Sequence, residues 1–181
     1  MIILLLIYIA LVALFASEEA RADAIDIRNG KPIRHADAWK ERACVAAFGA
    51  LIVSAMHLFW VWGLGVFLWH FAGLCVVAVG AFTPVFRWHL NRLRGMDARY
   101  VSPSSLYDWF FIWCAMPAPK EGGKMWHLFS HDTIGGARMK HAELYSSNLD
   151  FWTRIHRAGR LAYITEGLAL LIGSRILLNQ P

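Results

Sequence analysis

Residues 43–86 read ACVAAFGALIVSAMHLFWVWGLGVFLWHFAGLCVVAVGAFTPVF, without one Asp, Glu, Lys or Arg. A transmembrane helix needs about 20 mostly apolar residues, so this stretch has the length of two crossings. The sequence GLG at 63–65 lies near its middle, and glycine accepts the dihedral angles of a tight reversal. Three tryptophans flank these glycines, and tryptophan prefers the membrane–water interface. The stretch therefore predicts a transmembrane hairpin with spans at about 43–62 and 66–86.

Two further apolar blocks lie near the two ends of the sequence. The first, MIILLLIYIALVALFA, predicts a span at about 1–18 that continues as helix into SEEARADAIDI. A signal peptide is the alternative for residues 1–16, but no Lys or Arg precedes the apolar run as a signal peptide requires. The last block, LAYITEGLALLIGSRILL, predicts a span at about 160–178, entered from a long helix that begins near Leu149.

Residues 87–159 separate the third and fourth predicted spans. The sequence FRWHLNRLRG continues the third helix beyond the membrane, and Gly95 is a typical helix stop. Residues 125–147 predict short soluble helices. We therefore expect 87–159 to form a cytoplasmic and interfacial helical segment.

The aromatic stretch at 105–117 is too short to cross a bilayer. Its density of aromatic side chains predicts a helix that lies in the interface or dips into the membrane. Two capping patterns precede it: Ser102 before Pro103, and Ser105 with Asp108 three residues later.

The positive charges indicate the orientation of the chain. Every Lys and Arg except Arg175 lies within 17–42 or 87–160. The positive-inside rule places these two segments in the cytoplasm and both termini outside it. If residues 1–16 were cleaved, three spans would remain in the same orientation. The net charge of +5 comes from residues that flank apolar blocks, which indicates anionic lipid headgroups and argues against nucleic acid as the partner.

Together these patterns predict an all-α integral membrane protein of the cell inner membrane, with four transmembrane helices in one polytopic domain over 1–181. Glu166 is the only acid in the interior of an apolar span. An unpaired carboxylate there is costly, so we expect it to be paired, protonated or facing water. Arg87, at the cytoplasmic end of the third span, lies at a similar height and is the expected partner. A role for Glu166 in handling a proton or a ligand is the alternative.

Basic residues follow the third span beside the aromatic stretch. Arg87, Arg92, Arg94 and Arg99 predict a basic stripe, with Asn91 on the same segment. Anionic lipid headgroups are the natural partners of such charges. We therefore take Arg87, Asn91, Arg92 and Arg94 as candidate lipid- or phosphate-binding residues.

Two pairs of histidines are candidate metal ligands. His57 and His70 flank the hairpin tip at similar depth, and could bind a metal or a haem through imidazole nitrogen. Adjacent helices pack about 8–10 Å apart, which leaves little room for a haem, and neither span offers a third ligand at that depth. Neutral imidazoles bonded to carbonyl groups or interfacial water are the alternative. His127 and His131 have the spacing of one helical turn, a weaker sign of a metal site.

The order KPIRH, RWHLNRLRG, YVSPSSLYD over 31–108 resembles a loose group of small multi-span membrane proteins of bacteria and their phages. The resemblance implies a shared cluster at the cytoplasmic face and no mechanism. Its members would be Lys31, His35, Arg87, Asn91, Arg94, Tyr100, Ser102 and Asp108.

Two functions are open at this point. The first is a structural or interaction role in the membrane, with lipid, a second copy or another membrane protein as partner. Small residues in the last span would then let helices approach closely: Gly167, Ala169, Gly173 and Ser174. The second is a membrane enzyme, or a protein that binds a metal or haem, acting on a lipid-like or phosphorylated substrate at the cytoplasmic face. Its candidate catalytic residues are His35, Asp108 and Glu166.

Overall fold

A computed structural model describes residues 2–31, 35–58, 64–102, 105–115 and 149–178 of the chain. Every regular element in these ranges is an α-helix, which confirms the all-α prediction. The helices are α1 (Ile2–Arg28), α2 (His35–Leu58), α3 (Leu64–Leu93), α4 (Leu106–Cys114) and α5 (Leu149–Leu178). The histidine pair at 127 and 131 and the predicted helices at 125–147 lie outside the described residues.

Three of the described helices are long and apolar enough to cross a membrane. They are Ile2–Arg28, Leu64–Leu93 and Ile155–Leu178. These stretches contain the first, third and fourth spans expected from the sequence. Helix α2 overlaps the second expected span but is not among the three. The part of the chain that the structure describes is therefore all-helical, with three candidate membrane-spanning helices.

The long apolar stretch forms two helices, as its length predicts. Helix α2 ends at Leu58 and α3 begins at Leu64, while residues 59–63 lie outside the described ranges. Gly65 was expected in the turn, but it belongs to the first turn of α3. Helix α3 therefore begins two residues before the expected 66, while the expected end of the second span at 62 lies outside the described residues.

Contacts divide the chain into two compact units. The first comprises Met1–Ala98 and Ile164–Pro181, and the second comprises Arg99–Tyr163. Helix α5 contributes its first half to the second unit and its second half to the first. The sequence predicts one polytopic domain over 1–181, and helix α5 runs through the boundary between the two units without a break.

The first unit has a core built on α1 and α3. Helix α1 buries residues three or four positions apart, which is one face of a helix: Leu5, Tyr8, Val12, Ala16, Ala20 and Ala24. Leu74, Val77, Ala78, Ala81 and Phe82 of α3 pack in the same cluster, with Ala50 of α2 and Leu177 of α5. The opposite face of α1 is apolar and exposed, as at Leu6, Leu11 and Leu14. A helix that is apolar on its outer face suits a lipid environment.

Glycines bring α3 and α5 into close contact. A β-carbon on Gly80 would lie 2.5 Å from the backbone nitrogen of Leu170 and 2.7 Å from the carbonyl oxygen of Glu166. A β-carbon on Gly173 would lie 2.8 Å from Val77 Cγ2. The prediction for Gly173 is thus confirmed. The prediction for Gly167 is wrong, because no atom of another helix in the described ranges lies within 4 Å of the position that its β-carbon would take.

Two helices end at a glycine in the left-handed conformation. Gly30 and Gly95 have φ angles of +71° and +68°. Beyond α3, Gly95 N–H donates to the Arg92 carbonyl at 3.1 Å and Met96 N–H to the Asn91 carbonyl at 2.8 Å, which is the Schellman pattern. The helix stop predicted at Gly95 is confirmed, and Gly30 ends α1 in the same conformation.

The second unit packs α4 against the first half of α5. Its buried cluster comprises Val101, Phe111, Ile112, Ile155, Ala158 and Ala162. Helix α4 begins at Leu106, so its N-cap is Ser105 and the expected cap at Ser102 is wrong. Ser105 Oγ accepts a hydrogen bond from Asp108 N–H at 3.4 Å. The cap falls at Ser105 because the Asp108 carboxylate, three residues further on, holds the preceding chain by accepting Ser102 N–H at 2.8 Å.

Candidate functional site

A buried ion pair joins α3 to α5 inside the first unit. Arg87 Nη1 donates to Glu166 Oε2 at 2.8 Å, and Nη2 donates to Oε1 at 2.8 Å. The side chains are 6% and 1% exposed, respectively. This fork-to-fork geometry is the strongest form of arginine–carboxylate pairing. The pairing expected from the single acid of the last span is therefore confirmed.

The helix contact explains why these two side chains meet. Helices α3 and α5 run antiparallel: Gly73 lies beside Leu177, Val77 beside Gly173, and Gly80 beside Leu170. Arg87 lies seven residues, or about two helical turns, beyond Gly80 on α3, and there its side chain reaches that of Glu166. Because Gly80 lacks a side chain, the two backbones approach closely enough for the guanidinium to reach both carboxylate oxygens.

The turn of α3 before Arg87 is irregular. Pro84 lies inside the helix and has no N–H, so the Gly80 carbonyl lacks the donor that an α-helix normally supplies. Thr83 Oγ1 donates to the Val79 carbonyl at 2.6 Å, a bond that often accompanies helix bending. Prolines are tolerated in membrane helices where neighbouring helices and hydroxyl groups compensate.

A second arginine, Arg42 of α2, binds two carboxylates of α1. Its Nε donates to Glu19 Oε2 at 2.9 Å and its Nη2 donates to Asp23 Oδ2 at 2.8 Å. The Arg42 side chain is only 4% exposed. Its guanidinium carbon also lies 4.4 Å from the ring centroid of Phe86 and 5.9 Å from that of Phe82. This cation–π contact ties α3 to the pair, so one side chain connects three helices.

The Arg42 cluster was not found from the sequence. The sequence does contain an indication of this cluster. Glu19 and Asp23 are one helical turn apart, and Arg42 directly precedes the apolar stretch at 43–86. The sequence pattern places Arg42 only among the basic residues of 17–42 that set the topology. The two clusters lie at the same level of α3, since Phe86 contacts Arg42 and the next residue, Arg87, contacts Glu166. The first unit thus carries a layer of paired charges between its helices.

The four candidate lipid- or phosphate-binding residues divide between two environments. Arg87 and Asn91 are buried, whereas Arg92 and Arg94 are exposed. Asn91 Nδ2 donates to the Ala98 carbonyl at 3.4 Å, next to the helix stop. Arg92 lies over the Trp88 ring, with 5.3 Å from its guanidinium carbon to the ring centroid. The basic residues expected to form one stripe therefore do not share one surface. Arg87 and Asn91 face inward and are used in packing, whereas Arg92 and Arg94 are exposed.

The remaining candidates are only partly described. His70 is 3% exposed near the beginning of α3, while the side chains of His57 and His35 and all of His127 and His131 lie outside the described residues. Within the ranges that the structure describes, no group of three His, Cys, Asp or Glu side chains is arranged to hold a metal ion. Asp108, a candidate catalytic acid, belongs to the second unit, where it accepts Ser102 N–H beside the helix cap.

This arrangement fixes the relative position of helices. In the first unit, both oxygens of Glu166 are bound by one guanidinium, and two acids of α1 are bound by another. Comparison with family models, with curated proteins and with solved structures found no match to the chain. Its function is therefore inferred from the geometry of the site.

Proposed function

We propose that this chain is a small inner-membrane protein of four spans with a structural or interaction role. Its helices are held in register by buried arginine–carboxylate pairs, and its basic residues meet anionic lipid headgroups or a membrane protein partner. The observation that carries the proposal is the bidentate pair between Arg87 and Glu166, buried between two helices that can cross a membrane.

The geometry of Glu166 supports a structural role. A catalytic acid or base must come within hydrogen-bonding distance of the group it protonates or deprotonates. Glu166 is 1% exposed, and each of its oxygens accepts a hydrogen bond from Arg87 at 2.8 Å. A carboxylate bound in this way positions α5 and is closed to a substrate. Buried charged groups are best attested in such register-setting roles.

The exposed residues of α2 support a fourth crossing. Phe48 is 64% exposed, Ile52 45% and Met56 51%, and together they give α2 an apolar outer surface. Its one strongly buried charge, Arg42, is paired inward. A transmembrane helix in lipid exposes apolar side chains on its outer surface and pairs its charged side chains inside the bundle. The positive-inside rule then gives the proposed orientation, with 17–42 and 87–160 in the cytoplasm.

Helix α4 supports the proposed interfacial element. It has nine residues, so it is far shorter than a span. Phe110 is 55% exposed, while Phe111 and Ile112 are buried in the second unit. One apolar surface is thus packed and another is left open, which suits a helix lying at a membrane surface.

Exchange of the two charges tests the structural role. Arg87→Glu and Glu166→Arg singly leave two like charges facing each other, and each single variant should lose about 3–5 kcal/mol of stability. The double variant restores an opposite-charge pair and should recover most of that loss. The measurement is unfolding of the purified chain in detergent micelles. A double variant no more stable than the single ones would show that the pair is not a register device and would overturn the proposal.

Metal analysis and an absorption spectrum address the cofactor alternative. The protein should be purified from membranes without a histidine tag, so that the tag contributes no metal. Stoichiometric metal or a haem absorption band would end the structural proposal and favour the enzyme or cofactor-binding alternative. We expect neither from a protein whose buried charges serve only to align helices.

A further inference from the structure

A tryptophan and an arginine lie one helical turn apart on the outer surface of α3. Trp88 is 43% exposed and Arg92 is also exposed. Positions four residues apart share a helix face, and here the guanidinium carbon lies 5.3 Å from the ring centroid. Arg87 and Asn91, on the inner face of the same turns, are buried. Trp88 and Arg92 thus form an outer pair that is separate from the buried clusters.

Arg92 lies beside the Trp88 ring in a cation–π contact, which uses its charge and none of its N–H donors. A guanidinium carries five such donors in one plane. Across the ranges that the structure describes, Arg92 forms no ion pair with a carboxylate. The pair therefore presents a positive charge and planar donors beside a large apolar ring.

The position of the pair along α3 corresponds to the edge of a bilayer. From Leu64 to Trp88 the helix rises about 36 Å, slightly more than the ~30 Å of a hydrocarbon core. Tryptophan is enriched at this depth because its ring is apolar and its N–H is polar. Arg92 lies one turn further from the hydrocarbon, about 5 Å into the headgroup layer. Phosphate groups of phospholipids occupy that layer.

We propose that Trp88 and Arg92 bind the phosphate group of an anionic phospholipid, with the Trp88 ring covering the adjoining glycerol and acyl carbons. This inference rests on the proposed membrane location of the chain. An anionic lipid fits better than a zwitterionic one, because the pair offers a cation and no carboxylate to receive a headgroup amine. An arginine presents two parallel donors to a phosphate, which a lysine cannot do.

Lipid binding to the purified full-length chain tests the site. The chain in neutral detergent is titrated with phosphatidylglycerol or phosphatidylcholine, and bound lipid is counted by native mass spectrometry. We expect tighter binding of phosphatidylglycerol by the native chain, and about tenfold weaker binding by Arg92→Gln, the effect of losing a charge-assisted hydrogen bond. Arg92→Lys should also bind more weakly. Arg21→Gln, which removes another exposed arginine, should bind as the native chain does.

Three results would overturn the inference. The first is unchanged phosphatidylglycerol binding by Arg92→Gln with a native circular dichroism spectrum. The second is equal binding of the two lipids by the native chain. The third is displacement of phosphatidylglycerol by millimolar inorganic phosphate, which would make the site one for free phosphate. If the chain inserts into vesicles but gives any of these results, the proposed membrane role stands and only the lipid site is wrong. If the chain does not insert into vesicles, both proposals are wrong.

Discussion

At the scale of single residues, Arg42 is the side chain on which most contacts depend. It binds Glu19 and Asp23 of α1 and lies over Phe86 of α3, and it is 4% exposed. Removing its charge leaves two carboxylates facing one another without a cation. Breaking a buried pair by removing one partner costs about 3–5 kcal/mol in typical cases. Glu19 is 27% exposed, so solvent screening reduces the cost here to the lower end of that range or slightly below it.

We therefore predict that Arg42→Gln lowers the stability of the folded chain by about 2–3 kcal/mol. Arg21→Gln is the matched control, because Arg21 pairs with Glu18 on the surface and is 56% exposed. Exposed pairs contribute about 0–1 kcal/mol, so the control should remain near the native stability. Both variants are compared by denaturant unfolding in micelles, followed by circular dichroism. Equal stabilities would mean that Arg42 does not hold α2 in place.

The two ion-pair clusters differ in how far the sequence predicts them. Glu166 is a lone acid in an apolar span, so its need for a partner is evident, and helix heights point to Arg87. Arg42 lies at the end of a span among other charges, where a solvated side chain is the ordinary expectation. Only the packing of α1 against α2 and α3 shows that this charge is buried.

At the scale of helices, the contact between α3 and α5 is set by glycine. Gly80 packs against the backbone of Glu166 and Leu170, so an added side chain must push α5 away. The same movement would pull Glu166 from Arg87. The close helix contact and the Arg87–Glu166 ion pair are thus coupled, because moving the two helices apart would disrupt both.

Gly80→Val should destabilise the chain by at least about 1–3 kcal/mol, the usual cost of overpacking. Gly167→Val is the matched control, since a β-carbon there meets nothing within 4 Å. The control removes a glycine from the same type of helix without a clash, and should be tolerated. Thermal unfolding in the same detergent compares the two. If Gly167→Val were as unstable as Gly80→Val, the loss would reflect helix propensity and not the α3–α5 contact.

Helix ends were predicted more accurately than helix contacts. Gly30 and Gly95 stop helices through their own backbone conformation, which is a local property of the sequence. Gly80 and Gly167 look alike in sequence, since each is a glycine inside an apolar helix. Which one faces a neighbour depends on how the helices rotate in the bundle, and that is decided by many side chains at once.

At the scale of the whole molecule, the sequence predicts the fold class more firmly than it predicts the division into compact units. Apolar blocks of about 20 residues are typical of transmembrane helices, so the all-α class is predicted from the pattern of composition. The division into two compact units does not follow, because α5 runs through the boundary at 163–164 without a break. The sequence predicts a crossing at about 43–62, while charged residues occupy the first two turns of α2.

The number of crossings determines on which sides of the membrane the two ends lie. If α1, α2, α3 and α5 all cross, the residue before α1 and the residue after α5 share one side. If α2 does not cross, three crossings place them on opposite sides.

We predict that reporter tags at the two ends are both outside the cytoplasm. A cysteine introduced at Lys31, in a chain whose own cysteines are replaced, should be protected from a thiol reagent that cannot cross the membrane. Tags on opposite sides would reduce α2 to a helix that lies against the bundle. Two cytoplasmic tags would keep four crossings but reverse the orientation, in which case the charges at 17–42 and 87–160 would not set the topology.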